Sequence, residues 1–141
     1  MKKQGGFSLL EVMVVLVIIG MIMSIVAPNI MGQQEEAQID KAHLDIQQLE
    51  DAMSMYKLKN KKYPTTEQGL EALVTETTID PVPKRFPDGG YISELPEDPW
   101  GNPYQLLSPG EMGKIDIFSM GPDGEVGTED DIGNWDPEEQ S

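Results

Sequence analysis

Cysteine is absent from this chain of 141 residues. No disulfide can staple a small domain here, so some other constraint has to serve a fold with many loops. Positive charge is scarce: 10 Lys and Arg stand against 25 Asp and Glu, for a formal net charge of -15. An acidic surface is repelled by phosphates, which excludes nucleic acid as a partner. The one histidine, His43, has no catalytic neighbours in the sequence and reads as a solvated helix residue. No P-loop and no catalytic constellation occurs, so the chain reads as a non-enzyme. Charge is missing most completely from one stretch, Val12 to Met31, which carries none at all.

That stretch is long enough, at ~1.5 Å of rise per helical residue, to cross the core of a bilayer. What is left over supports one small domain and no more. Glu11 sits at the start of the run, after Phe7-Ser8-Leu9-Leu10. An ionised group at membrane depth costs several kcal/mol unless it is neutralised or paired. Two readings follow: a carboxylate near the end of a span that reaches the head groups, or one that awaits a partner on a neighbouring helix. Lys2 and Lys3 precede the run, while Gln33, Gln34, Glu35 and Glu36 follow it. The positive-inside rule then places the N-terminus in the cytoplasm and the remainder on the far side, the periplasm of a Gram-negative cell. No A-x-A site ends the run, and Ala27 is followed by Pro28, which argues against ordinary signal-peptidase cleavage. Gly20 and Pro28 both weaken a helix, and either a kink or a segment able to unwind fits them.

Beyond the span, Ile39, Ala42, Ile46, Leu49, Met53 and Tyr56 recur at steps of three and four, the apolar stripe of a helix that buries a core. Lysines near Asn60 suit a helix C-terminus, and Tyr63-Pro64 forces an extended exit. Thr65 or Thr66 is positioned to cap a second helix through Val74. Gly101-Asn102 reads as a turn between short strands, with Trp100 and Tyr104 supplying apolar area to the core. Lys114 to Ser119 alternates as a further strand. The expected class is α+β: a long N-terminal helix, membrane-spanning in one half and amphipathic in the other, packed on a small antiparallel sheet with a loop-rich C-terminal region.

The last block crowds Asp123, Glu125, Glu129, Asp130 and Asp131 among Gly121, Gly124 and Gly127. By composition such a loop is a solvated turn, and it lacks EF-hand spacing. Hard oxygen donors on a flexible loop also suit Ca²⁺, and a chain without disulfides gains most from a metal clip.

The opening string KKQGG-FSLLE resembles the leader signal of type IV pilins and of the related pseudopilins of type II secretion. The resemblance implies that a prepilin peptidase cuts between Gly6 and Phe7 and that Phe7 is then N-methylated. It divides the chain into a leader (1–6), a transmembrane assembly helix (7–31) and a periplasmic head (32–141) that includes an amphipathic helix over 32–60. Cleavage leaves a cationic amine on Phe7, and Glu11 of one subunit is expected to pair with that amine on a neighbour during assembly. The blocks YPTTEQGLEALV, GGYISELPEDPWGNPYQL and DIFSMGPDGEVGTEDDIGNW resemble the major pseudopilins of type II secretion systems. That likeness implies an inner-membrane protein that polymerises into a short periplasmic filament. Its implied partners are further copies of itself, minor pseudopilins, the prepilin peptidase and the inner-membrane assembly platform. The filament's implied task is to drive folded proteins through an outer-membrane secretin. It also implies Ca²⁺ held by side chains of Asp123, Asp130 and Asp131 with carbonyls such as those of Met120 and Val126. The alternative is a type IV pilin for adhesion or motility. Many of those close their C-terminal region with a disulfide, which this chain cannot form.

Overall fold

The computed structural model describes residues 5–135, so Lys2 and Lys3 of the expected leader lie outside the described residues. The chain begins with a 52-residue helix, α1, Leu9–Asn60. Its start is set by Ser8, whose Oγ accepts the backbone N–H of Glu11 at 3.2 Å. This is the N-cap bond that satisfies one of the orphan donors of a helix's first turn. Ser8 and Glu11 stand at capping-box spacing, a local role for this stretch that the hydropathy pattern hides.

Two compact units divide the chain, residues 1–37 and 38–141. In the first, the backbone is helical through Gly20 and Pro28. The apolar side chains there find no cover: Phe7, Leu10, Leu16, Met23 and Ile25 are all more than half exposed. The most hydrophobic window of the helix has a mean hydropathy of 2.9 with none of it buried. A helix apolar on every face and packed against nothing matches a bilayer rather than water.

The second unit is built on the stripe read from the sequence. Ala42, Ile46, Leu49, Met53 and Tyr56 are buried, Ile39 packs partly against them, and Ala52 joins the same face. Opposite lies a three-stranded antiparallel sheet of β1 (Gln105–Leu107), β2 (Asp116–Ser119) and β3 (Ile132–Gly133), in the order β1-β2-β3. Leu106 faces Ile117 across the first pair, and Ser119 faces Ile132 across the second. The strand expected from Lys114 begins only at Asp116, and all four of its residues are buried rather than alternating. As the central strand it is covered on both sides, with the Trp135 ring tilted against that of Phe118 at 5.5 Å between centroids.

Asp116 explains the late start of β2. Its carboxylate accepts the N–H groups of Glu111 and Met112 at 2.7 and 2.9 Å and that of Gly113 at 3.0 Å. The residues before β2 are thereby tied into a loop and withheld from the ladder. Gly110 lies so close that a Cβ there would meet Asp116 Oδ1 at 2.5 Å.

α1 ends where expected, at Asn60, and Lys61 takes the left-handed conformation (φ 71°) that usually falls to glycine. The second helix is shorter than its pattern predicts. Thr65 and Gln68 exchange reciprocal side-chain bonds at 3.2 and 2.9 Å, as in a capping box. Gly69, at φ 66°, then breaks the turn, and only a single 3-10 turn, Leu70–Leu73, follows. Gln68 is drawn inward instead, its amide donating to the carbonyls of Ile79 and Pro81.

Candidate assembly segment and acidic loop

The two segments singled out by sequence lie in different units, and each has its own geometry. At the N-terminus, Gly5 to Ser8 are non-helical and the helix starts at Leu9. Phe7 is 84% exposed, and Gly6 is exposed beside it. Glu11 is exposed in the first turn of α1 and has no cation within ion-pairing distance among the described residues. Among the described residues nothing compensates this carboxylate, which lies on an apolar helix four residues past an exposed Phe7.

The acidic loop connects β2 to β3. Gly121, Gly124 and Gly127 adopt φ of 66°, 69° and 86°, and each reverses the chain in a way L-residues resist. At Gly121 the need is steric as well: a Cβ would lie 2.2 Å from the carbonyl oxygen of Asp130, so the two ends of the loop close on each other there. Asp123 Oδ1 accepts the N–H of Glu125 at 2.9 Å. Asp131 accepts the N–H of Gly127 on Oδ2 at 2.7 Å and the hydroxyl of Thr128 on Oδ1 at 3.3 Å. Asp130 and Val126 are exposed and Met120 is half-buried.

Among the described residues, no three His, Asp or Glu side chains gather as a metal cluster. The donors within reach of the loop are nonetheless all oxygens, carboxylate, hydroxyl and carbonyl, with no imidazole or thiolate. That chemistry fits a hard cation held largely by carbonyls, not a carboxylate cage.

What sequence reasoning missed is the anchor of this loop. Ser119 Oγ, fully buried, donates to Asp98 Oδ2 at 2.6 Å and accepts the N–H of Gly121 at 3.0 Å. The other oxygen of Asp98 accepts the N–H groups of Trp100 and Asn102 at 3.1 and 2.7 Å. One buried carboxylate thus fastens the Trp100 turn to the base of the acidic loop. Its signal was present: an Asp two residues before the Trp100-Gly101 turn is a common Asx-turn former. Asn134 does comparable work at the far end. Just past β3 its N–H donates to the Ile117 carbonyl and its side-chain Oδ1 accepts the Ile117 N–H at 3.1 Å, while its Nδ2 donates to Glu50 Oε1 of α1 at 2.8 Å.

A third polar tie joins helix and sheet. Tyr104 donates its hydroxyl to Asp45 Oδ2 at 2.8 Å, and Asp45 also pairs with Lys41. Burial, then the hydrogen bond and charge of Asp45, raise the Tyr104 phenol well above its ordinary value. Tyr56 is raised too, by burial and then by Tyr91.

Comparison with known proteins covers the chain almost end to end. Residues 29–135 match the model of the family described as type II secretion system protein G, and residues 1–27 match that of the prokaryotic N-terminal methylation motif. The type II secretion system core protein G of Aeromonas hydrophila is 64% identical over 134 residues, 95% of this chain and 94% of that protein. Its counterpart in Escherichia coli K12 is 58% identical over 133 residues, 94% of this chain and 92% of the relative. Among solved structures, the major pseudopilin of the type 2 secretion system of enterohaemorrhagic Escherichia coli superposes with a TM-score of 0.72 at 55% identity. The match covers 77% of this chain and 95% of that one.

Proposed function

The chain belongs to the type II secretion system protein G family, the major pseudopilins, and from that membership we propose how its parts serve a filament. The observation that carries the reading is an apolar helix surface, Leu9 to Met31, left uncovered among the described residues, on a protein whose second unit has a closed core. The helix is held in the inner membrane as a single pass, N-terminus cytoplasmic and head periplasmic, until copies stack. After the leader is cut between Gly6 and Phe7 and Phe7 is methylated, its amine remains cationic. Glu11 of one copy pairs with that amine on the next. Breaking such a pair leaves a buried charge uncompensated, so pairing favours the correct stagger over slipped ones.

Growth of the filament from the inner-membrane platform, with minor pseudopilins at hand, pushes folded proteins toward the outer-membrane secretin. The chain contributes shape and cohesion, not chemistry. Whether Gly20 to Pro28 stays helical in the filament depends on packing against neighbours, and its two weak helix formers lower the cost of extension there.

The acidic loop is proposed as a Ca²⁺ site with Asp123, Asp130 and Asp131 as side-chain ligands and the carbonyls of Met120 and Val126 completing an oxygen set. A divalent cation would offset the mutual repulsion of five carboxylates within nine residues. The oxygen-only donor chemistry and the absence of cysteine support this.

Deletion of the gene tests the functional reading. Secreted enzymes should accumulate in the periplasm while surface pili and twitching stay normal. Normal secretion with lost pili would move the chain to the adhesion and motility class.

A further inference from the structure

The second unit gathers six of its eight Lys and Arg residues at one place, with Lys41 and Lys114 elsewhere. Lys57, Lys59, Lys61 and Lys62 lie at the end of α1, and Lys84 and Arg85 are brought beside them. Asn60 makes the connection: its Oδ1 accepts the Arg85 N–H at 2.9 Å, and its Nδ2 donates to the Arg85 carbonyl at 3.2 Å and to the Tyr91 hydroxyl at 2.9 Å. Tyr91 in turn donates to the Arg85 carbonyl at 2.8 Å. The loop is thus pinned by its backbone while both basic side chains stay exposed.

Acids outnumber bases 25 to 10 in this chain, yet the only salt bridge among the described residues is Lys41–Asp45. Among the described residues none of the six has an acidic partner within ion-pairing distance; Lys57 and Lys59 rest instead over the rings of Tyr63 and Tyr91 at 4.6 and 5.9 Å. A helix dipole accounts for one or two cations in a last turn. It does not account for Lys84 and Arg85, which belong to a loop 25 residues away and are held there by side-chain hydrogen bonds.

We propose that this basic pole is a docking surface for the acidic C-terminal loop of a second copy of the same chain, through the exposed Glu125 and Glu129. The proposal rests on the self-assembly argued above. Charge decides the occupant: a chain of net charge -15 is repelled by anionic bilayers and by nucleic acid, but every further copy supplies the complement to this pole. The loop is the densest run of acids in the sequence, and among the described residues neither Glu125 nor Glu129 uses its carboxylate in a hydrogen bond. Engaged head to tail, a pole on one surface and its complement on another make a heterologous contact, which propagates into an open filament where the rotation does not close a ring.

The test uses the full chain expressed with its secretion machinery, under conditions where the wild type yields filaments that can be sheared from cells and counted. The variant Lys59→Glu/Lys62→Glu/Arg85→Glu should be inserted and processed normally yet lose roughly tenfold of its assembled fraction, the equivalent of a single lost charge contact. Adding Glu125→Lys/Glu129→Lys to the same chain should restore filaments, because each copy then offers an inverted pole to an inverted loop. If the reversed chain proves unstable, Lys59→Gln/Lys62→Gln/Arg85→Gln removes the charge without opposing it and should weaken assembly in the same direction. Undiminished filaments from the variants altered at the pole alone, reversed or neutralised, overturn the proposal. So does a processed variant that stays unassembled whatever charge its loop carries, which would assign the pole to another component or to lipid head groups. A wild-type chain that forms no filament refutes self-assembly itself, a distinct result.

Discussion

Single residues carry more of the head's order than its size suggests, because polar side chains do the joining that disulfides would otherwise do. Tyr104 illustrates how such a joint responds to pH. Its phenol is raised by burial and by Asp45, so the folded state favours the neutral form. Its contribution is complete below the ordinary tyrosine value of 10.0 and declines as pH rises above it, since the unfolded chain ionises first. Tyr104→Phe should cost about 1 kcal/mol at neutral pH for the lost hydrogen bond and flatten the alkaline fall in stability. Denaturant melts of wild type and variant between pH 7 and 11.5 check this; parallel pH profiles would contradict it. Tyr56 keeps part of the slope in the variant, since its phenol is raised by burial as well. Little of this was visible in the sequence. Tyr104 read as apolar area for a core, and nothing in the spacing of Asp45 and Tyr104, 59 residues apart, announces a bond between them. The bonds of Asp98 to Ser119 and of Asn134 to Glu50 were hidden for the same reason, since only the fold brings those partners near.

Elements were easier to read, and their failures follow one rule. The amphipathic half of α1 was legible residue by residue because its period is local and its burial is one-sided. Leu49 lies at the centre of that stripe with no exposure. Leu49→Ala should destabilise the head by about 2–5 kcal/mol, a cavity cost large enough to show as reduced cellular abundance and a lowered melting temperature. The strands were legible only in part, since β2 is buried on both faces and short strands leave no alternation to detect. The helix after Thr65 failed at Gly69, where a left-handed glycine outweighed a correct capping pattern. In the loop between β2 and β3 the acids were plain, whereas their engagement with Glu125, Gly127 and Thr128 was not. If the loop takes Ca²⁺, chelation should lower the melting temperature of the head (residues 33–141). Asp123→Ala should lower it as well and make it indifferent to added calcium. An unchanged melting curve on chelation would remove the metal from this account.

At the scale of the molecule, the sequence divides the protein by solvent. One unit turns apolar surface outward on every side and the other folds it inward. This division was legible in the charge-free run, while the class of protein came from the likeness of KKQGG-FSLLE and of the PWGNPY and DIGNW blocks to the pseudopilins. Glu11→Ala should leave membrane insertion unaffected, since it removes a polar group from an apolar helix. Filament yield should nevertheless fall, as stacked helices lose the contact that sets their stagger; filaments of normal number and length in this variant would sink the pairing. Intact-mass measurement of the same material shows whether Met1 to Gly6 are gone and one methyl has been gained.

The boundary at Ser8 has a consequence for proteolysis. A peptidase active site binds its substrate as an extended strand, and a bond inside a helix must be unwound before it can be cut. Here the helix is told to begin at Leu9 by a hydroxyl one residue past Phe7, so Gly5, Gly6 and Phe7 are already out of the helical ladder. The bond between Gly6 and Phe7, where the cut is proposed, therefore lies outside the helix and needs no unwinding. Because Ser8 remains with the product, removing the leader leaves the helix with the same first turn it had before.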